Sequence, residues 1–249
     1  MKQRAEIKTL ARESFKEQRG IGILLYFLYT SVISFVVGIA AMVGIIPFIG
    51  SLISLINIGG NIDSLEDMSA FITSIVSSLS FFYILIFAVA LILTPPLQVG
   101  LYSAFLRVFR KEKTHAEDIF TKLNTRFGRY LGGMLWTYLF TYLWSLLFCI
   151  PGIIKSYAYR MTPFILADHQ EVKATDAIKL SMKMTKGHKG KLFVMDLSFI
   201  GWFLLSGLTC GILSIVYVMP YYTSTLAGYY EELKEQALAS GAITAEELA

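Results

Sequence analysis

The chain has 249 residues, 55% hydrophobic and 16% charged, with a mean hydropathy of +0.59. Soluble domains carry roughly a quarter charged residues, so this composition excludes an ordinary soluble enzyme or binding module and points to a membrane protein. The net charge of +4 would suit nucleic acid or an anionic surface, and only its distribution along the chain decides between them.

Met1 to Gly20 has the pattern of an amphipathic helix lying on a membrane surface. Ile7, Leu10, Ala11 and Phe15 share one face, ringed by Lys2, Arg4, Lys8, Arg12, Lys16 and Arg19. The apolar run that follows continues through Ile49, longer than the roughly 7–15 residues of a signal-peptide core, so an uncleaved first span is expected over 21–46. Pro47 and Gly50 should break or bend it. Residues 57–67 (NIGGNIDSLED) form an acidic loop without Lys or Arg. Residues 71–110 exceed one crossing and contain Pro95-Pro96, which predicts a long second helix kinked at the proline pair.

A basic loop, 111–129, precedes the third span at 130–150, which ends at Pro151-Gly152. The fourth span is 153–167. Another basic segment, 168–191, has helical character over 175–186 with Thr175 as N-cap. The fifth span begins at Leu192 and must reach Leu208 to be long enough, and Cys210-Gly211 turns the chain into the sixth, 212–230, with Pro220 inside it. Residues 231–249 read as an acidic, frayed helical tail.

Charge fixes the expected topology. Six Lys/Arg precede the first span, seven lie between Arg107 and Arg129, six between Lys173 and Lys191, and one in the tail. With six spans these twenty of twenty-two basic residues share one side, which the positive-inside rule makes cytoplasmic along with both termini. The net charge then needs no nucleic acid. A repeat also emerges. Basic amphipathic segments run from Glu6 to Gly20, Asp118 to Gly128 and Asp176 to Gly187, each ending at a glycine placed for a left-handed cap, and each precedes an ascending span. The even spans carry Pro95-Pro96, Pro163 and Pro220. The last two share Ser156-x-x-Tyr159-x-Met161-x-Pro163-Phe164 and Ser214-x-x-Tyr217-x-Met219-Pro220-Tyr221.

The two remaining basic residues, Lys155 and Arg160, lie inside the fourth span, where each costs about 2.5–3.5 kcal/mol on insertion scales. Asp196 is the only acid within a span. Counted from the cytoplasmic ends it is about five residues in and Arg160 about seven, similar depths by helical rise, so an Arg160–Asp196 pair joining the fourth and fifth spans is expected. That pair either pins two helices or, with Tyr159, lines a polar cavity. Lys155 is near enough to the outer surface to snorkel. Tyr159 and Tyr217 are placed to bond carbonyls freed by the prolines. Lys186, His188, Lys189 and Lys191 cluster before the fifth span, as an interfacial anchor or a contact for anionic lipid headgroups. Cys149 and Cys210, at the non-cytoplasmic helix ends, are expected as free thiols, with a disulfide conceivable. His115, His169 and His188 are widely spaced, so neither a metal nor another cofactor is expected.

Several short motifs carry a family resemblance: Ile150-Pro-Gly-Ile-Ile-Lys-Ser-Tyr157, Ile165-Leu-Ala-Asp168, Asp176-Ala-Ile178, Ser181, Gly187-His-Lys189, Leu192-Phe193, Leu197-Ser-Phe-Ile-Gly-Trp202 and Met219-Pro-Tyr221. In order and spacing these resemble the bacterial domain of unknown function 975, closely in the second half of the chain and only in layout in the first. The resemblance implies a bacterial integral membrane protein and supplies no catalytic residues. Arg160 stands where the family pattern leads one to expect a small polar residue.

The expected architecture is all-α, a polytopic membrane helix bundle of six transmembrane helices in three helical hairpins, with cytoplasmic amphipathic helices. Residues 1–233 form one membrane domain (hairpins 1–112, 113–170 and 171–233) and 234–249 a cytoplasmic tail. The expected location is the bacterial plasma membrane. The function expected is that of a non-enzymatic structural, regulatory or lipid-interacting component. A permease or exporter component for a small or amphipathic solute, and a membrane-embedded enzyme, are the alternatives.

Overall fold

The computed structural model describes residues 4–57, 65–124 and 126–248, and these are all-helical, with no strand among them. Three stretches, Arg19–Ile53, Glu66–Phe109 and Lys189–Leu208, are long and apolar enough to cross a membrane. The chain divides into two compact units. Thr30–Thr94 is one, built from the distal part of helix α2 (Arg19–Asn57) and the first part of α3 (Leu65–Phe109). Neither Pro47 nor Gly50 ends α2, which runs through both to Asn57. Likewise Pro95 and Pro96 lie inside a continuous α3. A proline inside a helix forfeits one bond, and the intact turns on either side carry the helix on. The expected acidic loop lies largely outside the described residues.

Residues up to Tyr29 and from Pro95 onward form the second unit. Here α1 (Arg4–Glu17) packs along α11 (Met219–Ala239). Ile7, Ala11 and Phe15, one helical turn apart, are 2%, 0% and 1% exposed, and Ser14 donates to the Phe109 carbonyl. The apolar face expected to lie on lipid is therefore spent on protein. The C-terminal segment is not frayed either: Leu233, Ala237, Ile243 and Leu248 are buried, and Lys183 holds Glu247 at 2.5 Å. A column of rings crosses this core, Tyr102 on Phe164 at 4.6 Å and Phe164 on Tyr230 at 5.4 Å. Between α3 and α11 the chain forms α4 (Asp118–Asn124), α5 (Phe127–Leu147), α6 (Cys149–Tyr159), α7 (Thr162–Asp168), α8 (Ala174–Met184), α9 (Lys189–Leu197) and α10 (Ile200–Leu208). α4 sits on α3 at Gly100, where a methyl group would strike the Ile119 carbonyl. Thr175 lies inside the first turn of α8, and Lys173 occupies its N-cap. Of the three glycines placed for left-handed caps only Gly187 adopts that backbone (φ 81°); Gly20 and Gly128 are helical, and Arg126 (φ 54°) takes the turn before α5.

The expected fourth, fifth and sixth spans are each interrupted. The fourth breaks at Arg160–Met161, between α6 and α7; the fifth at Ser198–Phe199, between α9 and α10; the sixth passes through a π-helical turn, Ser214–Val218, before α11. Pro163 explains the first break, since it cannot donate to the turn before it. The groups freed there are satisfied from α8: the Ser181 hydroxyl accepts from the Met161 amide at 3.1 Å and donates to the Ala158 carbonyl at 2.8 Å. Thr185 adds a second bond to Ala158 at 3.2 Å. These are side chains of α8, where Tyr159 had been expected. Ser181→Ala should destabilise the chain by about 2 kcal/mol, because a buried amide loses its acceptor. Ser181→Thr, which keeps the hydroxyl, should cost less; thermal unfolding in detergent measures both.

Candidate functional site

The helix interruptions bring a polar cluster together. Arg160, at the end of α6, meets Asp196, one residue from the end of α9, through two bonds of 2.6 and 3.0 Å. Tyr157 donates to the same carboxylate at 2.7 Å and Tyr222 at 2.9 Å; Tyr222 also accepts from Arg160. The guanidinium lies 5.2 Å from the Tyr157 ring centre and, beyond the hydroxyl it donates to, 5.7 Å from that of Tyr222. The pair matched by depth in the sequence is thus formed, and the two tyrosines complete it. One guanidinium faces one carboxylate, so the formal charges of the cluster cancel.

α1 reaches the same region from the other side. Lys8 donates to the Ser198 hydroxyl at 2.8 Å and lies 4.2 Å from the Phe199 ring centre, and Arg4 reaches the Val194 carbonyl at 3.4 Å. Two cations at the C-terminal end of α9 complement its dipole. Burial, then Arg4, pulls the Lys8 ammonium below its ordinary pKa.

A cleft of about 460 Å³ opens beside the cluster, between α3, α5 and α6. Gln98, Thr137, Tyr138, Thr141, Tyr159 and Arg160 are among its walls. Its serine and threonine hydroxyls are committed in one direction: Thr137 donates to Gly133, Thr141 to Thr137, Ser145 to Thr141 and Ser156 to Ile153, all backbone carbonyls of their own helices. Each oxygen is left with lone pairs for the cleft. Gln98 accepts from Tyr138 at 2.7 Å and donates to Tyr102 at 3.3 Å. The cleft is aromatic and rich in acceptors, and its one cation, Arg160, is paired with Asp196 behind the wall.

Lys155 does not join the cluster. Its ammonium lies 4.8 Å from the Trp144 ring centre and 6.0 Å from that of Tyr159. Tyr159 is buried against Ala158 and Ile178. Tyr217 packs its ring on Phe15, Trp202 and Tyr221 and makes no bond to a freed carbonyl. Of the basic set, Lys186 and His188 share a pocket of about 500 Å³ with Lys183 and Gln236; Lys189 and Lys191 lie outside it. Burial, then the Lys191 charge, lowers the His188 pKa. Cys149 and Cys210 are free and exposed.

The most highly coordinated carboxylate is Asp168, at the end of α7. Arg110 grips it with bonds of 2.8 and 2.9 Å, Lys234 donates at 2.8 Å and Tyr230 at 3.0 Å, with the His169 Nε2 at 3.3 Å. Glu231 balances the cations, 2.5 Å from Arg110 and 3.3 Å from Lys234. Burial alone would raise the Asp168 pKa, but the adjacent His169 imidazole and the bonds from Arg110 and Lys234 hold it far below the carboxylate range. Burial likewise opposes the Arg110 charge, and Asp168 and Glu231 more than offset it. Arg129, close by, caps the carbonyls of Leu166, His169 and Val172 at 3.1, 2.5 and 2.6 Å. Sequence reasoning passed over this hub; its one visible signal was an acid closing the motif Ile165-Leu-Ala-Asp168.

Residues 134–237 match a family model that takes in both polar clusters except Arg110. The family is the one described as Protein of unknown function (DUF975). The resemblance read from the motifs is therefore shown over this stretch. The DUF975 match runs from within α5 to within α11, so Arg160, Asp196, Asp168 and the basic set fall inside it, and α1 to α4 fall outside. No curated protein and no solved structure matches the chain.

Proposed function

We propose that this protein is a non-enzymatic, lipid-interacting component of the bacterial plasma membrane, holding the polar part of an amphipathic molecule in the cleft between α3, α5 and α6. Three helical hairpins with both termini on the basic, cytoplasmic side are the arrangement behind this reading, and the one-sided placement of Lys and Arg supports it. The observation that carries it is the chemistry of the cleft. Hydroxyls that have already donated to their own helices can only accept, and the one ion pair nearby is internally neutralised. Such walls favour a headgroup that donates hydrogen bonds, a polyol or an amine, while its acyl chains leave by the open side.

The test is lipid retention. Native mass spectrometry of the detergent-purified protein should find a bound lipid with a hydroxyl- or amine-bearing headgroup. In the Thr141→Val, Ser145→Ala double variant its affinity should drop about thirtyfold, from two hydrogen bonds of about 1 kcal/mol each. Equal retention by the variant and the natural protein would defeat the proposal.

A second reading, a permease component for a small or amphipathic solute, is favoured by the three helix interruptions, since discontinuous helices often line transport sites. Solute flux in reconstituted vesicles distinguishes it, because lipid binding alone moves nothing across the bilayer.

A further inference from the structure

We infer that the hairpin formed by α10 and the π-helical turn, Ile200–Val216, enters the membrane from the side of α1 and returns to it without crossing. Its partner is the acyl chains of a single leaflet, and Cys210 lies inside the hydrocarbon. This goes beyond the proposed function and presupposes only that the chain sits in a bilayer.

Three observations combine. The first is depth. α1 presents Arg4, Glu6, Arg12, Glu13, Lys16 and Glu17 as exposed side chains, so it must lie in water or among headgroups. Yet α1 touches both arms of the hairpin at their bases: Lys8 on Ser198 and Phe199, Phe15 on Tyr217 at 6.4 Å, and the Lys8 carbonyl on the Tyr221 hydroxyl at 3.4 Å. The bases are therefore at the height of a charged helix. What remains beyond them is α10, nine residues and so about 14 Å, against a hydrocarbon core of about 30 Å. Trp202, packed on Tyr217 at 5.3 Å, stands near the bases, where an interfacial aromatic pair belongs.

The second is the surface of the tip. Leu208 is 82% exposed and Ile212 67% exposed, and no charged residue occurs anywhere from Leu197 to Tyr230. Such a tip belongs within or at the edge of the hydrocarbon, as does the equally apolar α5–α6 turn, where Phe148 is 70% and Ile150 71% exposed, so the backbone has to tell the two apart.

The third is the backbone of the turn, where Cys210 and Gly211 both have positive φ, 50° and 82°. Every amide from Thr209 to Leu213 is bonded within the turn. Thr209 donates to Ser206, Cys210 to Gly207, Gly211 to Ser206, Ile212 to Thr209, and Leu213 to the Thr209 hydroxyl, which itself donates back to Ser206. Hydrocarbon demands such closure, because an unpaired amide there costs several kcal/mol; water does not. The α5–α6 turn is a contrast: Phe148 donates to Trp144 and Gly152 to Phe148, while the Cys149 and Ile150 amides make no such bond. Those open amides need the headgroup edge of the bilayer, where polar groups or water can fill them.

The native cysteine makes the test direct. In the C149S protein, reconstituted in sealed vesicles, a membrane-impermeant charged maleimide should fail to label Cys210 from either face and should label it once detergent opens the bilayer. Labelling in sealed vesicles would overturn the inference. A nitroxide attached to Cys210 gives an independent readout: dissolved oxygen should relax it more strongly than a water-soluble nickel chelate, and the reverse order would overturn the inference too. In the C210S protein Cys149 serves as comparison, and its labelling from the face opposite the termini shows that the reagent reaches crossing hairpins. Because neither readout involves the cleft, failure here leaves lipid retention untouched, and loss of retention leaves the topology untouched.

Discussion

Asp168→Ala should be the most damaging single substitution in the chain, costing about 3–5 kcal/mol, the range for removing one partner of a buried ion pair. The Asp168 side chain is only 11% exposed and ties the end of α3, through Arg110, to α11, through Tyr230 and Lys234. Without it Arg110 and Lys234 compete for Glu231 alone, and the Tyr230 hydroxyl, in a residue with no exposed surface, has no acceptor. Asp168→Asn keeps the shape and one acceptor oxygen and should cost about half as much. The pH dependence follows from the direction of the shift. The folded carboxyl titrates far below its unfolded value of about 3.9, so its contribution is complete above that value and erodes as pH falls beneath it. The gap in melting temperature between natural protein and Asp168→Asn, measured in detergent, should thus stay level from about pH 8 to pH 5 and close below about pH 4.

How much of this was legible beforehand depended on the range of the physics involved. Helical class and the Arg160–Asp196 pair could be read because both follow from local counts: hydrophobic run length, and residues from a helix end. Ile7, Ala11 and Phe15 were correctly placed on one face of α1, yet their partner was misassigned. Periodicity reports that a face is apolar and is silent on whether lipid or α11 covers it. The helix interruptions were half legible. Pro163 announced a break, but its tolerance depends on Ser181, twenty residues beyond Met161 and set within a segment that reads as polar and basic. The Asp168 hub was the hardest to foresee. Its partners come from two distant parts of the chain, Arg110 just after α3 and Tyr230 with Lys234 one turn apart on α11, and no spacing rule links either part to Asp168.

Removing either half of the Arg160–Asp196 pair should cost about 3 kcal/mol, whereas removing both should cost much less, and that contrast separates a structural pin from a working site. Arg160→Met leaves a carboxylate among Tyr157, Tyr222 and apolar helices, and Asp196→Leu leaves a guanidinium there; each is an uncompensated charge in a poorly solvated place. The double variant removes both charges and substitutes side chains of similar bulk, so a coupling of about 1–3 kcal/mol should return, measured as the mismatch between double and summed single losses in thermal unfolding. Tyr222→Phe in the double background should recover a little more, since its hydroxyl would otherwise be stranded. Lipid retention in the double variant then tells the two roles apart. If the pair only pins α6 to α9, stability and retention recover together. If its neutralised cluster shapes the wall of the cleft, where Arg160 stands beside Tyr159 and Gln98, stability recovers and retention does not. The second outcome is the one expected here. A pin alone could be replaced by packed hydrocarbon at no loss, whereas a guanidinium held by a carboxylate and two tyrosines fixes the wall's shape and charge together.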